Sequence, residues 1–202
     1  MKIIFLDIDG VLNCQNAYHE GFCRYVSWNW EDGSEDHHQS FYPPSKELLN
    51  KLIEETGAKI VISSTWRHSG LDFMRKVWEV EKMRGEIIGI TPTFMAKIKD
   101  YTLPRGCEIE SWLKQNSFMH INWDESYQRI EMEKSGIENY IIIDDDSDML
   151  YGQRNHFVHV LPSPRNKSGF NQKYYEQALS MLSKNVIELN YEQDSENQID
   201  AE

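Results

Sequence analysis

Only three cysteines occur in the 202 residues, Cys14, Cys23 and Cys107, an odd number with no CxxC pair. That set excludes a disulfide framework and suits a reducing compartment, so the expected location is the cytoplasm. Long apolar runs are missing as well: stretches such as Ile141-Ile142-Ile143 fall far short of the ~20 residues a membrane span needs. At the start of the chain Asp7 and Asp9 interrupt the apolar run before it reaches signal-peptide length, so it reads as a first strand. With 11 Gly and 6 Pro the chain is neither low-complexity nor fibrous. Positive charge is scarce: 21 Lys and Arg stand against 33 Asp and Glu, a net charge of −12. That balance gives no support to a partner gripped through the overall field, nucleic acid above all. Glu192, Asp194, Glu196, Asp200 and Glu202 fall within residues 190–202 without any Lys or Arg, the pattern of a flexible acidic tail.

What is present suits one sizeable core, with 40% hydrophobic residues over a length typical of a single domain, expected at residues 1–189. Residues 2–6, Lys59–Ile62, Glu86–Ile90, Tyr140–Ile143 and Phe157–Leu161 are short runs of Ile, Val and Phe, as in strands buried on both faces. Between them lie helical patterns. Leu48, Leu49, Leu52 and Ile53 mark one, with Ser45 as its expected N-cap and its end near Gly57; Leu71, Met74, Val77 and Trp78 mark a second. Ile109, Trp112 and Leu113 mark a third beginning around Gly106, and Tyr175, Ala178, Leu179 and Leu182 a last. Strands alternating with helices predict an α/β fold, a mostly parallel sheet covered on both faces. Residues 14–42 break the alternation, and are expected to form an insertion with a short hairpin through Tyr25–Trp30. Residues 117–136 read as an irregular segment leading into a helix.

Ligands of an open α/β sheet bind at the carboxyl ends of its strands, which directs attention to the residues just after each apolar run. The first strand ends in Asp7-Ile8-Asp9-Gly10, two carboxylates that the departing chain can bring to one site. After Ile141-Ile142-Ile143 come Asp144, Asp145, Asp146 and Asp148. Such crowding at the end of a buried strand is costly unless a cation compensates it, and hard oxygen ligands in an open site suit Mg²⁺. Ser63, Ser64 and Thr65 succeed another strand, where hydroxyls and backbone N–H groups can bind a phosphate oxygen or cap a helix. Arg105 stands where a helix begins and can approach a phosphate there, with Lys97 and Lys99 as competitors for that role.

The ordered set of Asp7-x-Asp9-Gly10-Val11-Leu12, a strand-end Ser, a basic residue at a helix start and an Asp-Asp strand end resembles the four motifs of the haloacid dehalogenase (HAD) superfamily. More narrowly, Ser63-Ser64-Thr65-Trp66-Arg67, Arg105-Gly106-x-Glu108-Ile109-x-x-Trp112-Leu113 and Ile143-Asp144-Asp145-Asp146-Ser147-Asp148-Met149 resemble the small HAD branch associated with RNA-repair proteins. The resemblance implies a three-layer Rossmann-like fold and a Mg²⁺-dependent phosphatase that hydrolyses phosphate monoesters. It makes Asp7 the nucleophile that forms an aspartyl-phosphate and Asp9 the general acid and base. Mg²⁺ is then held by Asp7, the backbone carbonyl of Asp9 and Asp145, supported by Asp144 or Asp148, with Asp144 and Asp145 able to exchange roles. Ser63 or Ser64 holds the transferring phosphoryl group, and Arg105, or else Lys97 or Lys99, offsets its charge.

The insertion, residues 14–44, is too short for a full cap domain, which implies an open site and a phosphorylated small molecule or macromolecular end as substrate. Tyr25, Trp28 and Trp30 either stack a base or fasten the insertion to the body. Cys14, His19, Cys23, His37 and His38 match no usual zinc spacing. Arg67 either contacts substrate or forms a salt bridge. Besides the general phosphatase, a nucleic-acid 3′- or 5′-end phosphatase and a non-catalytic phospho-ligand binding protein on the same fold are the alternatives.

Overall fold

The computed structural model describes residues 1–94, 103–116 and 136–184. In chain order these form β1 (Lys2–Leu6), α1 (Gln15–His19), β2 (Tyr25–Asn29), β3 (Glu35–Gln39), α2 (Pro43–Thr56), β4 (Lys59–Ile62), α3 (Leu71–Val80), β5 (Ile87–Ile90), α4 (Arg105–Asn116), β6 (Asn139–Asp144), β7 (Phe157–His159) and α5 (Gln172–Ser183). Short 3₁₀ turns, Thr65–Ser69 and Tyr151–His156, come after β4 and before β7. The apolar runs make one five-stranded sheet in the order β5-β4-β1-β6-β7, with every neighbour parallel. That order puts β1 in the centre, flanked by β4 and β6, so the three acid- or hydroxyl-bearing strand ends lie side by side.

The two-residue period of β1 divides the core between two faces. Ile4 and Leu6 join Leu49, Leu52, Met74, Val77, Ala178 and Leu182 from α2, α3 and α5 on one side. Ile3 and Phe5 meet Ile109 and Trp112 of α4 on the other, where Phe5 and Trp112 pack edge to face at 5.4 Å. Helices, sheet and helix make the three layers of an α/β Rossmann-like fold.

Helix α2 begins one turn earlier than Ser45 would place it. Tyr42 is the N-cap, and Pro43 and Pro44 open the helix, where their fixed φ is suited and the missing N–H costs nothing. Ser45 lies buried inside the first turn and donates its hydroxyl to the Ser168 carbonyl at 3.1 Å. Gly57, at φ +65°, ends the helix in the left-handed conformation. Helix α4 starts at Arg105, one residue before Gly106.

The insertion is α1 followed by the antiparallel hairpin β2–β3, in which Trp28 pairs with Asp36 and Val26 with His38. Trp28 and His38 are its buried side chains. Trp28 packs against Trp30, His38 and Phe73, ring centroids 5.5–6.0 Å apart, which fastens the hairpin to α3. Tyr25 instead stands 78% exposed. Lys97, Lys99, residues 117–135 and the acidic tail lie outside the described residues. Among the described residues no helix is long and apolar enough to cross a membrane.

Candidate active site

The end of β1 turns sharply because Ile8 accepts from the backbone N–H groups of Leu12 and Asn13, at 2.8 and 3.0 Å, folding residues 8–13 back on themselves. Gly10 sits in this turn at φ +76°, and a Cβ there would stand 2.2 Å from an Asp145 oxygen. Glycine thus meets two demands at once, a left-handed backbone and a close approach of the turn after β1 to the end of β6.

Across that approach three carboxylates converge. Oxygens of Asp7, Asp144 and Asp145 all lie within 4.8 Å of one another. Asp7 and Asp144 are buried, at 6% and 1% exposure. Arg105 faces them from the start of α4, its Nη1 3.3 Å from Asp7 Oδ1 and its Nε 3.5 Å from Asp144 Oδ2. One guanidinium against three carboxylates leaves the cluster short of positive charge. Burial accordingly pushes the Asp7 carboxyl up to about 6, although Arg105 and the Ser64 side chain pull the other way. Burial, and next the charge of Asp7, push Asp144 up to about 8. Asp145 is also raised, by burial and by Asp146.

This donor set fits a hard divalent cation. Mg²⁺ takes one or two carboxylates and keeps several waters, and three carboxylate oxygens within 4.8 Å of one another can supply that set. Asp144 Oδ2, fully buried, accepts no hydrogen bond from any described residue and has the Arg105 Nε only at 3.5 Å, a shortfall that a cation would make up. Asp9 contributes no carboxylate oxygen to the cluster: its exposed side chain accepts from Trp66 Nε1 at 2.9 Å and from Asn13 Nδ2 at 3.4 Å.

At the end of β4 both serines are fully buried. Ser64 is the one whose side chain acts on Asp7. The Ser63 hydroxyl has no partner among the described residues. Arg67 resolves to the salt bridge: its guanidinium pairs with buried Glu108 of α4 and donates to the Ser64 carbonyl at 2.8 Å. Asp148 lies at the N-terminus of α4, accepting from the Arg105 backbone N–H at 2.7 Å, where a carboxylate offsets unpaired amides. It is not among the three clustered carboxylates.

The family model for the HAD domain in Swiss Army Knife RNA repair proteins matches residues 3–173. The chain belongs to that family. No curated protein matches it. Membership supports the phosphatase-type hydrolase class in general, and the chain carries an acidic cluster at the ends of β1 and β6. Sequence reasoning brought Asp7, Asp144, Asp145 and Arg105 to one place. It did not identify the Trp66 contact with Asp9, the Glu108 partner of Arg67, or Gly10 as the point of contact with Asp145. Adjacency to the motifs was the available signal for Trp66 and Gly10. Glu108, one turn into α4, stood in the string that begins at Arg105, but nothing in that string named Arg67 as its partner.

Proposed function

We propose that this HAD protein is a Mg²⁺-dependent phosphatase of phosphate monoesters. The observation that carries the reading is Asp7, a buried carboxylate at the end of the central strand, held 3.3 Å from Arg105 and within 4.8 Å of Asp144 and Asp145. Asp7, Asp145 and the Asp9 carbonyl, with Asp144 in support, would hold Mg²⁺, which would supply charge neutralisation for the phosphoryl oxygens and the nucleophile.

An Asp7 oxygen attacks phosphorus in line with the leaving oxygen. The new bond is an acyl phosphate on Asp7, and the broken P–O bond leaves its electron pair on the leaving oxygen, which takes a proton from Asp9. Water then attacks the same phosphorus, Asp9 recovers the proton, and inorganic phosphate departs with Asp7 restored. Arg105 holds charge against Asp7 and the phosphoryl group throughout, and the strand-end hydroxyls of Ser63 and Ser64 hydrogen-bond the phosphoryl oxygens.

The test is phosphate release from sugar phosphates, nucleotides, phosphopeptides and phosphorylated oligonucleotides, with and without Mg²⁺, beside Asp7→Asn. Metal-dependent release that vanishes in the variant is the expected result. Unchanged release in Asp7→Asn removes Asp7 as nucleophile, and no release from any substrate favours a non-catalytic phospho-ligand binding protein.

A narrower reading, a nucleic-acid end phosphatase, has one structural observation in its favour besides the family description. A cleft of about 330 Å³ opens beside Trp66, the partner of Asp9, and is walled by Tyr25, His37 and Phe73. Aromatic walls of this kind stack bases. Among the described residues no Lys or Arg lines the cleft, and the whole chain has a net charge of −12, so a terminal nucleotide fits better than a long tracked strand. Preference for a 3′- or 5′-phosphorylated nucleotide or oligonucleotide over a sugar phosphate, with only a shallow salt dependence, is the outcome this reading requires.

A further inference from the structure

Asp9, the second acid of the turn after β1, stands apart from the clustered carboxylates, and its side chain is exposed. Two donors from the protein touch it. Trp66 Nε1 donates to Oδ2 at 2.9 Å, a short and well-formed bond, while Asn13 Nδ2 reaches Oδ1 at 3.4 Å. An exposed aspartate held by a single good bond takes its orientation from the donor of that bond, and Oδ1 is left as the oxygen free for proton traffic.

Trp66 is itself held. Its ring packs against Phe41 at 6.1 Å and His38 at 6.2 Å, both buried. His38 belongs to strand β3 of the insertion and its Nε2 donates to Glu81 Oε1 at 2.9 Å, beyond the end of α3. Glu81 also accepts from the Phe41 backbone at 3.1 Å and from Lys46 Nζ at 2.9 Å. A contiguous set of contacts therefore runs from buried Glu81 through His38 and Phe41 to Trp66 and ends on the Asp9 carboxylate.

We propose that Trp66 is the positioning residue of the general acid: supported by the hairpin through His38 and Phe41, it fixes Asp9 on the side from which the leaving group departs. The inference rests on the phosphatase reading, and it gives the short insertion a role other than covering the site. Trp66 exchanges no proton. In the step that forms the acyl phosphate its effect is felt when the departing oxygen is too basic to leave as an anion; in the later attack of water, where Asp9 takes the proton, it is the same for every substrate.

That dependence supplies a readout that a merely structural tryptophan would not move. Trp66→Phe keeps the ring and deletes the N–H. With Mg²⁺, kcat/KM, which reports the step that expels the leaving group, is expected to fall about 10- to 100-fold on an alkyl phosphate, and by less than about threefold on 4-nitrophenyl phosphate, whose leaving group is stable as an anion. Asp9→Ala should show the same selectivity, more strongly. A second measurement needs no turnover: the Trp66 indole ¹H–¹⁵N resonance, assigned by its loss in Trp66→Phe, should shift in Asp9→Ala while the remaining tryptophan indoles hold. Equal losses on both substrates, or an indole resonance indifferent to Asp9→Ala in an enzyme that turns over, overturn the inference and leave the phosphatase reading standing. A wild-type protein that releases phosphate from neither substrate overturns both.

Discussion

Glu81 makes the sharpest energetic prediction in this protein. Its carboxylate is 5% exposed and accepts from His38 Nε2, Lys46 Nζ and the Phe41 N–H at 2.9, 2.9 and 3.1 Å. Glu81→Ala removes all three acceptor contacts. The His38 side chain, 1% exposed, and the buried Phe41 amide are then left dry, and each unsatisfied donor costs about 1–3 kcal/mol. Lys46, 26% exposed, turns to water and adds little. The expected loss is about 4 kcal/mol, within the range for breaking one partner of a buried charged pair. At about 2–4 °C per kcal/mol for a domain of this size, Tm should fall by about 8–16 °C. The pH dependence carries a sign. Burial pushes the Glu81 carboxyl up, but the hydrogen bonds from His38, Lys46 and Phe41 outweigh it and hold it below the ordinary carboxylate range. A depressed folded-state value means stability that is present above the unfolded value of about 4.3 and lost as pH falls through the folded one. The gap between wild type and Glu81→Gln, read by urea unfolding under far-UV circular dichroism, should therefore be wider at pH 7 than at pH 3.5. A Glu81→Ala cost under about 1 kcal/mol, or a Glu81→Gln gap that ignores pH, refutes the reasoning.

The acidic cluster carries two more expected outcomes. Asp7 and Asp144 have folded-state values raised to about 6 and about 8, so in the metal-free protein the contribution of these two groups to stability is present below the ordinary carboxylate range and is lost as pH rises through the folded values. Mg²⁺ competes with those protons, so its increment to Tm should be larger at pH 8 than at pH 5.5; an increment that is equal or smaller at pH 8 counts against a cation at this cluster. Gly10→Ala would place a methyl 2.2 Å from Asp145 at a backbone φ of +76°, so Asp145 must retreat and calorimetry should show Mg²⁺ affinity weaker by about tenfold or more. Wild-type affinity in a folded Gly10→Ala protein would mean that Asp145 is not a ligand.

The parts of the fold that were legible are those with a single dominant signal. Strands 2–6 and 59–62 occur as read, because a run of β-branched residues buried on both faces has no competing solution at that length. The last strand stops at His159 rather than Leu161: the Val160 amide still bonds the Asp144 carbonyl, but β6 has ended and offers no further partner. The N-terminus of α2 was misplaced because Ser45 is the better cap chemically, whereas Pro43 and Pro44 satisfy the first turn by lacking the N–H groups a cap would serve. In the hairpin, buried positions are few, Trp28 on β2 and His38 on β3. With so little burial no alternating pattern is written into residues 25–39, which is why composition and not period pointed to it.

The site divides along the same line. Carboxylates at strand ends announce themselves, since four acids after an apolar run have few neutral explanations, and the structure brings Asp144 and Asp145 to Asp7. Which residue serves which depends instead on rotation of a few side chains about the strand ends. Arg67 and Arg105 are both cations adjacent to motif positions, yet one is consumed by Glu108 and the other is aimed at Asp7. The difference is set by helix α4, which presents Arg105 and Glu108 one turn apart on the same face. A single helix thus delivers the cation the acidic cluster lacks and, one turn later, the anion that neutralises the cation it does not use. Exchanging the chemistry of Arg105 and Glu108 would leave Arg67 facing a like charge and Asp7 without a partner, so the two positions are constrained together even though only one of them touches the nucleophile.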